Sequence, residues 1–368
     1  MSRALDGIGV LDCSRGLAGR FATLQLADLG AEVTEVRWAD GPGREPAGCA
    51  EAAAALSTHL SRGKRAIEAS PAAPESIAAL RGEALAVDVV VEDGGDATMG
   101  AHGLGYEELA AANEGLVYCS LRAGGGIVSP AAPGHELMMQ ALGGLMSITG
   151  SPEGGPRRSG PALVDALGGI FAATGILIAI QARPAAGRGQ RLEVDLLAVA
   201  LAGLVNQGSG YTIAAKVPGL LGNDHPSVAP YGPHRAAGEE LIIAVGNDRQ
   251  FQVLCEVLGA PELATDARFA TMAARNDNRE ELRSCLERQL ADRGAGEWAT
   301  ALLAKRVPAG VVNDLAQAYA FAEEVGLAPL ADTKGPDRTA VRSVRSPIRL
   351  SDAPATGGPA GRPDEERR

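Results

Sequence analysis

Ile8-Gly-Val-Leu-Asp12, then Phe21-Ala-Thr-Leu-Gln-Leu-Ala-Asp-Leu29, then Ala31-Glu-Val-Thr-Glu-Val-Arg37: over this stretch the hydrophobic period changes twice. The first piece reads as a short buried strand. The second has the apolar repeat of a helix with Gly30 as its C-cap, and the third alternates as a strand. Strand, helix and strand make a β-α-β unit, which favours a parallel sheet with ligands at the C-terminal ends of its strands. The turn Gly16-Leu-Ala-Gly19 lacks the G-x-G-x-x-G of a dinucleotide fingerprint, which argues against a nicotinamide site.

The alternation continues outward. Gly41 to Ala55 is rich in Gly, Pro and Ala and reads as a loop. Leu60-Ser-Arg-Gly-Lys-Arg-Ala-Ile67 then sets three cations around one glycine before a strand. They are either a solvated surface turn or a seat for phosphates, since Arg and Lys pair with phosphate oxygens. A helix is expected from Ala73 to Leu80, a strand from Val87 to Glu92, a helix from Tyr106 to Ala112 and a strand from Leu116 to Leu121. Gly124-Gly-Gly126 and Pro130 to Gly134 form a connection, and Gly134-His135-Glu136 opens a helix through Met146. Another long helix runs from Pro161 to about Gln181 and ends at Arg183-Pro184. The strand Arg191–Asp195 and a helix over about Leu196–Asn206 close the α/β pattern.

Residues 1–207 therefore read as the first part of a large α/β domain, with 208–222 as a linker. Beyond it come the strand Leu241–Val245, a helix Arg249–Leu258 capped by Asp248, and helices Arg279–Ala291, Glu297–Lys305 and Ala316–Val325. These make a smaller α+β domain over 223–325. Residues 326–368 return to the large domain through a docked strand, Ser346–Ser351, and end in a Pro/Gly/Ala-rich tail with a disordered composition.

The 368 residues are 46% hydrophobic, enough for one large or two moderate cores, and only 3% aromatic, so those cores are built from Ala, Leu, Val and Ile. A net charge of −11 argues against a general nucleic-acid binder while leaving room for a local basic pocket. Met1 to Gly7 lacks the pattern of a signal peptide, and Ala166 to Ile180 is too short and glycine-containing to span a bilayer. Cysteines 13, 49, 119, 255 and 285 are odd in number and widely spaced without CxxC, which suits a reducing cytoplasm and gives no zinc pattern. A G-x-S-x-G elbow is absent, and Cys119 sits in an apolar strand where thiols pack. The histidines are too scattered for a metal site, apart from His225 and His234.

Arg158-Ser-Gly-Pro-Ala-Leu-Val-Asp165 places one carboxylate within a turn of a helix start, where the dipole favours an anion. Asp165 either stabilises that start or reacts. His135 and Glu136 stand at the start of the preceding helix. If the two helices pack side by side, both starts open into one cleft. A His/carboxylate pair there can exchange protons, or the carboxylate can act as nucleophile.

Taken in order, several stretches resemble the family III CoA-transferases and the related α-methylacyl-CoA racemases. They include Gly7–Asp12, Ala27-Asp-Leu-Gly-Ala-Glu-Val33, Leu60–Ile67, Asp88-Val-Val-Val-Glu92, Leu104-Gly-Tyr106, Leu116-Val-Tyr-Cys-Ser120, Gly187-Arg-Gly-Gln190, Gly222-Asn-Asp-His-Pro-Ser227, Ala244–Phe251 and Ser346–Leu350. The resemblance implies a Rossmann-like large domain with a parallel sheet, a smaller domain, and a homodimer of two interlocked chains. It implies acyl-CoA and carboxylic acid substrates, with the CoA thioester as substrate and no cofactor. Asp165 falls on the family's catalytic Asp, which in the transferases carries a mixed anhydride and then an aspartyl-CoA thioester. In the racemases the corresponding Asp and a His act as two bases, a role that His135 and Asp165 would fill. A non-catalytic or altered-ligand member is a third alternative. The family usually has Asn-Phe-Arg-Pro-Gly after the residue corresponding to Glu92; here it is Asp93-Gly-Gly-Asp-Ala97. Contacts to CoA would then fall to Leu17, Ala18, Arg37, Arg62, Lys64, Arg65 and Arg122, with Trp38 stacked on the adenine.

Overall fold

The computed structural model describes residues 3–39, 50–130, 132, 134–334 and 340–351. Cys49, most of the loop expected from Gly41, and the tail beyond 351 lie outside the described residues. The chain forms two compact units, one of residues 1–146, 158–218 and 326–368, the other of 147–157 and 219–325. The second unit includes 147–157, a segment that the sequence pattern placed within 1–207.

In the first unit the opening stretch folds as read: β1 (Gly9–Asp12), α1 (Leu17–Asp28) and β2 (Glu32–Trp38). Helix α1 starts before Phe21 because Gly16, in extended backbone, is its N-cap. There follow α2 (Ala50–Ser61), β3 (Arg65–Ala69), α3 (Pro74–Leu85), β4 (Val89–Glu92), α4 (Asp96–Ala101), α5 (Tyr106–Ala110) and β5 (Val117–Arg122). Then come α6 (His135–Leu142), α7 (Leu145–Ile148), the two-residue strands β6 (Gly150–Ser151) and β7 (Gly155–Pro156) of the second unit, α8 (Leu163–Ala186), β8 (Arg191–Asp195), α9 (Leu196–Gly203) and α10 (Val205–Ala214).

The six-stranded sheet has the order β3-β2-β1-β4-β5-β8 with every pair parallel. The order reverses between β1 and β4, the switch point at which doubly wound sheets bind ligands. Side chains divide by alternation. Val10, Val89, Val91, Val117, Cys119 and Leu121 pack with Ala22 and Leu26 of α1 and Ala172 and Ile176 of α8. Leu11, Val90 and Tyr118 point the other way, to Leu80, Ala84, Leu104 and Leu109. Both faces are covered, so the strands read as continuous apolar runs.

Five features depart from the sequence pattern. Helix α2 begins at Ala50, inside the loop expected to run to Ala55, because the alanines after Glu51 favour helix once the glycines and prolines are passed. Helix α8 runs through Pro184 to Ala186. A proline in the last turn removes only one backbone bond, and the helix stops at Gly187, whose φ of +69° suits a left-handed cap with its N–H on the Arg183 carbonyl. At 24 residues α8 has the length and apolarity to cross a membrane, contrary to the shorter span expected. Its Val164, Gly168, Ala172, Ala173, Ile176 and Ala179 are nevertheless buried, as in a core helix. Helix α9 gives way to α10 through a bend of 84°, so much of the expected linker is helix. Strands β12 (Leu330–Lys334) and β13 (Ala340–Val344) form an antiparallel pair, and the strand expected at 346–351 is absent.

The second unit has a three-stranded antiparallel sheet of β9 (Tyr231–Ala236), β10 (Glu239–Ala244) and β11 (Ala309–Val311), in the order β11-β10-β9. Helices α11 (Asp248–Val257), α12 (Met272–Asp277), α13 (Arg279–Leu290), α14 (Ala295–Ala304) and α15 (Leu315–Glu324) belong to the same unit. Its core joins Leu241, Ile243, Phe251, Leu254, Leu286 and Trp298. Asn247, not Asp248, caps α11 by accepting the Gln250 N–H. Asp248 instead pairs with Arg275, whose guanidinium lies over the Phe251 ring.

Candidate active site

Helix α6 starts after Gly134, which holds a left-handed φ of +84°, and His135 is its first residue. Asp165 lies in the first turn of α8. The two helix starts meet: His135 Nε2 is 2.9 Å from Asp165 Oδ1, with His135 8% and Asp165 2% exposed. The other ring nitrogen, Nδ1, is 2.9 Å from the Ala132 carbonyl oxygen. Both imidazole nitrogens thus face oxygen acceptors. A neutral ring has one N–H, so a second proton must sit between His135 and Asp165. Burial pulls the His135 pKa down, but the Asp165 hydrogen bond and charge, the Ala132 carbonyl and the charge of Asp93 together carry it above the usual value of 6.5. His135 therefore holds its proton more tightly than a free imidazole does. Asp165 Oδ2 has no hydrogen-bond partner among the described residues.

Glu136 is brought to the same place but to a different task. Its Oε1 accepts the Val164 N–H at 3.1 Å, at the head of α8. That bond satisfies one of the unpaired donors of the helix end and sets a negative charge against its dipole.

The residues expected to contact CoA are less uniform. Ala18 is buried and Leu17 half-buried in the first turn of α1, and Arg37 is half-buried on β2. Trp38 donates its indole N–H to the Cys13 carbonyl at 3.0 Å, and the Arg15 guanidinium covers its ring at 5.0 Å. Arg62 and Lys64 do not form the expected phosphate seat. Arg62 is buried against Asp28 at 2.5 Å and reaches Ser343. Lys64 directs its ammonium at Asp12 (3.0 Å), Thr23 (2.7 Å) and the Arg20 carbonyl (2.9 Å), which uses all three donors. Arg65 is exposed and pairs with Glu83, while Arg122 pairs with Glu92 and Asp96.

Asp93, which the motif reading treated only as a departure, occupies the switch point itself. Its carboxylate accepts the N–H of Gly16 at 2.6 Å and of Arg15 at 3.0 Å, at the N-terminus of α1. Burial, with Asp12 and Glu92 nearby, pushes its pKa up to about 6 against the pull of those two N–H groups. An acidic residue directly after a central strand was the available signal.

The family model of CoA-transferase family III matches residues 5–365. The chain belongs to CoA-transferase family III. A succinate–glutarate CoA-transferase of Agrobacterium fabrum is 36% identical over 361 residues, 95% of this chain and 90% of that one. An acetyl-CoA:oxalate CoA-transferase of Acetobacter aceti is 34% identical over 85% of this chain and 82% of its own length. Among solved structures, a CaiB/BaiF family protein from Brucella suis superposes with a TM-score of 0.84 at 32% identity, covering 98% of this chain and 96% of that one. As a family III member the chain is an acyl-CoA:carboxylate CoA-transferase, an enzyme whose substrates are a CoA thioester and a carboxylic acid.

Proposed function

We propose that this enzyme moves CoA between an acyl-CoA and a dicarboxylic acid, with Asp165 as its nucleophile. The buried His135–Asp165 contact carries the reading, because it fixes Oδ1 against the imidazole and leaves Oδ2 to attack. In the first step Oδ2 adds to the thioester carbonyl carbon and the C–S bond breaks, giving an acyl-aspartyl anhydride and CoA thiolate. The thiolate then attacks the Asp165 carbonyl carbon of the anhydride. The donor acid leaves as its carboxylate and an aspartyl-CoA thioester forms. The acceptor carboxylate repeats the two exchanges in reverse, which restores Asp165 and releases the new acyl-CoA. Covalent catalysis of this kind replaces one difficult transfer by easier steps. His135, hydrogen-bonded to Oδ1, steadies the carboxylate each time it is regenerated. Dicarboxylates are the class because the names of both curated relatives above include one.

A racemase reading is less favoured. Two bases acting on opposite faces of one α-carbon need that carbon between them, and 2.9 Å between His135 and Asp165 leaves no room for it. The transferase reading also carries a cytoplasmic homodimer. Ile170, Phe171 and Ile178 of α8 and Tyr211 and Ile213 of α10 are 45–85% exposed, apolar area that a second, interlocked copy would cover. The test is to incubate the enzyme with succinyl-CoA, add hydroxylamine, and map the modified residue by mass spectrometry. Asp165 is expected as its hydroxamate. An unmodified Asp165 in an enzyme that still transfers CoA would refute the assignment.

A further inference from the structure

Helix α6 carries a second buried polar side chain, and the chemistry above does not use it. Gln140 is 1% exposed. Its amide Nε2 donates to both oxygens of Glu136, at 3.0 and 2.8 Å, and its Oε1 accepts the Ser159 N–H at 2.9 Å. Glu136 in turn accepts the Val164 N–H at 3.1 Å. The turn through Gly160 and Pro161 is therefore held at both ends by one helix, at Ser159 before it and at Val164 after it. Asp165 is the next residue, and it meets His135 on that same helix. The amide has a direction: its NH2 faces a carboxylate and its oxygen faces an N–H, so both ends are matched only one way round.

We propose that Gln140 and Glu136 form a latch that positions the head of α8, and with it the attacking oxygen of Asp165, against His135. Neither residue touches the reacting atoms; both are positioning residues. The inference rests on Asp165 as nucleophile. Displacement of a reacting group by about 1 Å costs on the order of a hundredfold in rate, whereas substrate binding by the rest of the site is untouched. The latch therefore predicts a split between kcat and KM.

Gln140→Met keeps the shape and removes all three amide hydrogen bonds. It is expected to lower kcat about 10- to 100-fold with KM for the acyl-CoA within about threefold. Trapping of Asp165 by hydroxylamine should slow by the same factor. Glu136→Gln retains an acceptor for Val164 and is expected to lose less than about tenfold, while Glu136→Met loses as much as Gln140→Met. Should Gln140→Met fail to fold, the Glu136 pair gives the answer alone. Wild-type rates of trapping in Gln140→Met, or equal and complete loss in Glu136→Gln and Glu136→Met, would overturn the latch. The second of those results would make Glu136 a proton donor or acceptor instead. Absence of any trapped Asp165 in the unmodified enzyme would instead refute the nucleophile on which the latch rests.

Discussion

Replacing Asp93 by Asn should make the enzyme more stable at neutral pH and slightly less stable in acid. The Asp93 carboxylate is buried, and its pKa is carried from 3.8 to about 6, chiefly by burial. The folded protein thus holds the Asp93 proton to a higher pH than the unfolded chain does. Stability from this group is intact below about pH 4, falls as pH rises toward 6, and stays low above it. At about 1.4 kcal/mol per unit, ionising Asp93 inside the fold costs about 3 kcal/mol at pH 7. Asn cannot ionise, and its carbonyl still accepts from Gly16 or Arg15. Losing one N–H bond of about 1 kcal/mol leaves a net gain of about 1–2 kcal/mol at pH 7. Urea unfolding of both proteins at steps between pH 4 and pH 7 measures the difference directly. The gain should be absent near pH 4, grow through pH 5, and level off above pH 6. A difference that does not change with pH, or an Asp93→Asn variant less stable than the unmodified enzyme at pH 7, would refute the account of Asp93 as a strained anion.

Lys64→Met should destabilise by about 3–5 kcal/mol, since it leaves Asp12 charged and unpaired in a site with no solvent exposure, and adding Asp12→Asn should recover most of the loss; urea melts of the single and double variants check this. At Gly169 a Cβ would stand 2.8 Å from the Ala18 carbonyl oxygen and 3.2 Å from the Ala22 nitrogen, both backbone atoms. Gly169→Val should therefore cost about 1–3 kcal/mol by forcing α1 and α8 apart, and should lower kcat because Asp165 lies one turn earlier on α8; thermal melts and steady-state kinetics report the two effects.

The large unit was legible wherever the hydrophobic period was. Ile8–Arg37 shows both periods in full, and the strands at 87–92, 116–121 and 191–195 follow from short apolar runs between turns. Helix α2 was missed because an alanine run has no period to read, and its glycine- and proline-rich neighbours pulled the pattern toward a loop. The end of α8 was misplaced because Pro184 marks a helix end only when its missing bond matters, and in a last turn it does not. His135 and Asp165 could be paired as candidates because each opens a helix, and helix order is local information. What each cation would meet was not readable at all. Arg62 finds Asp28, and Lys64 finds Asp12, across 34 and 52 positions of chain. A cluster of charges shows its sign in the sequence, but its partners exist only after the sheet and helices have packed. Gln140 gave no signal, since an amide on a helix face has the same appearance whether it binds water or holds a turn.

With Asp165 as the proposed nucleophile, the placement of carboxylates accounts for chemistry at α8 rather than at the switch point. A doubly wound sheet offers the N-terminus of its first helix to an anionic ligand. Here Asp93 already occupies that end, with its oxygens on Gly16 and Arg15. The N-terminus of α8 is likewise taken by Glu136 on Val164. Neither helix end can receive a ligand's negative charge without first displacing a side chain of the protein. Between them, Asp165 has one oxygen on the His135 imidazole and the other without a hydrogen-bond donor among the described residues. An anion receptor presents donors toward its ligand; this site presents a lone pair. Such an arrangement suits an electrophilic carbon, and the carbonyl of a thioester supplies one.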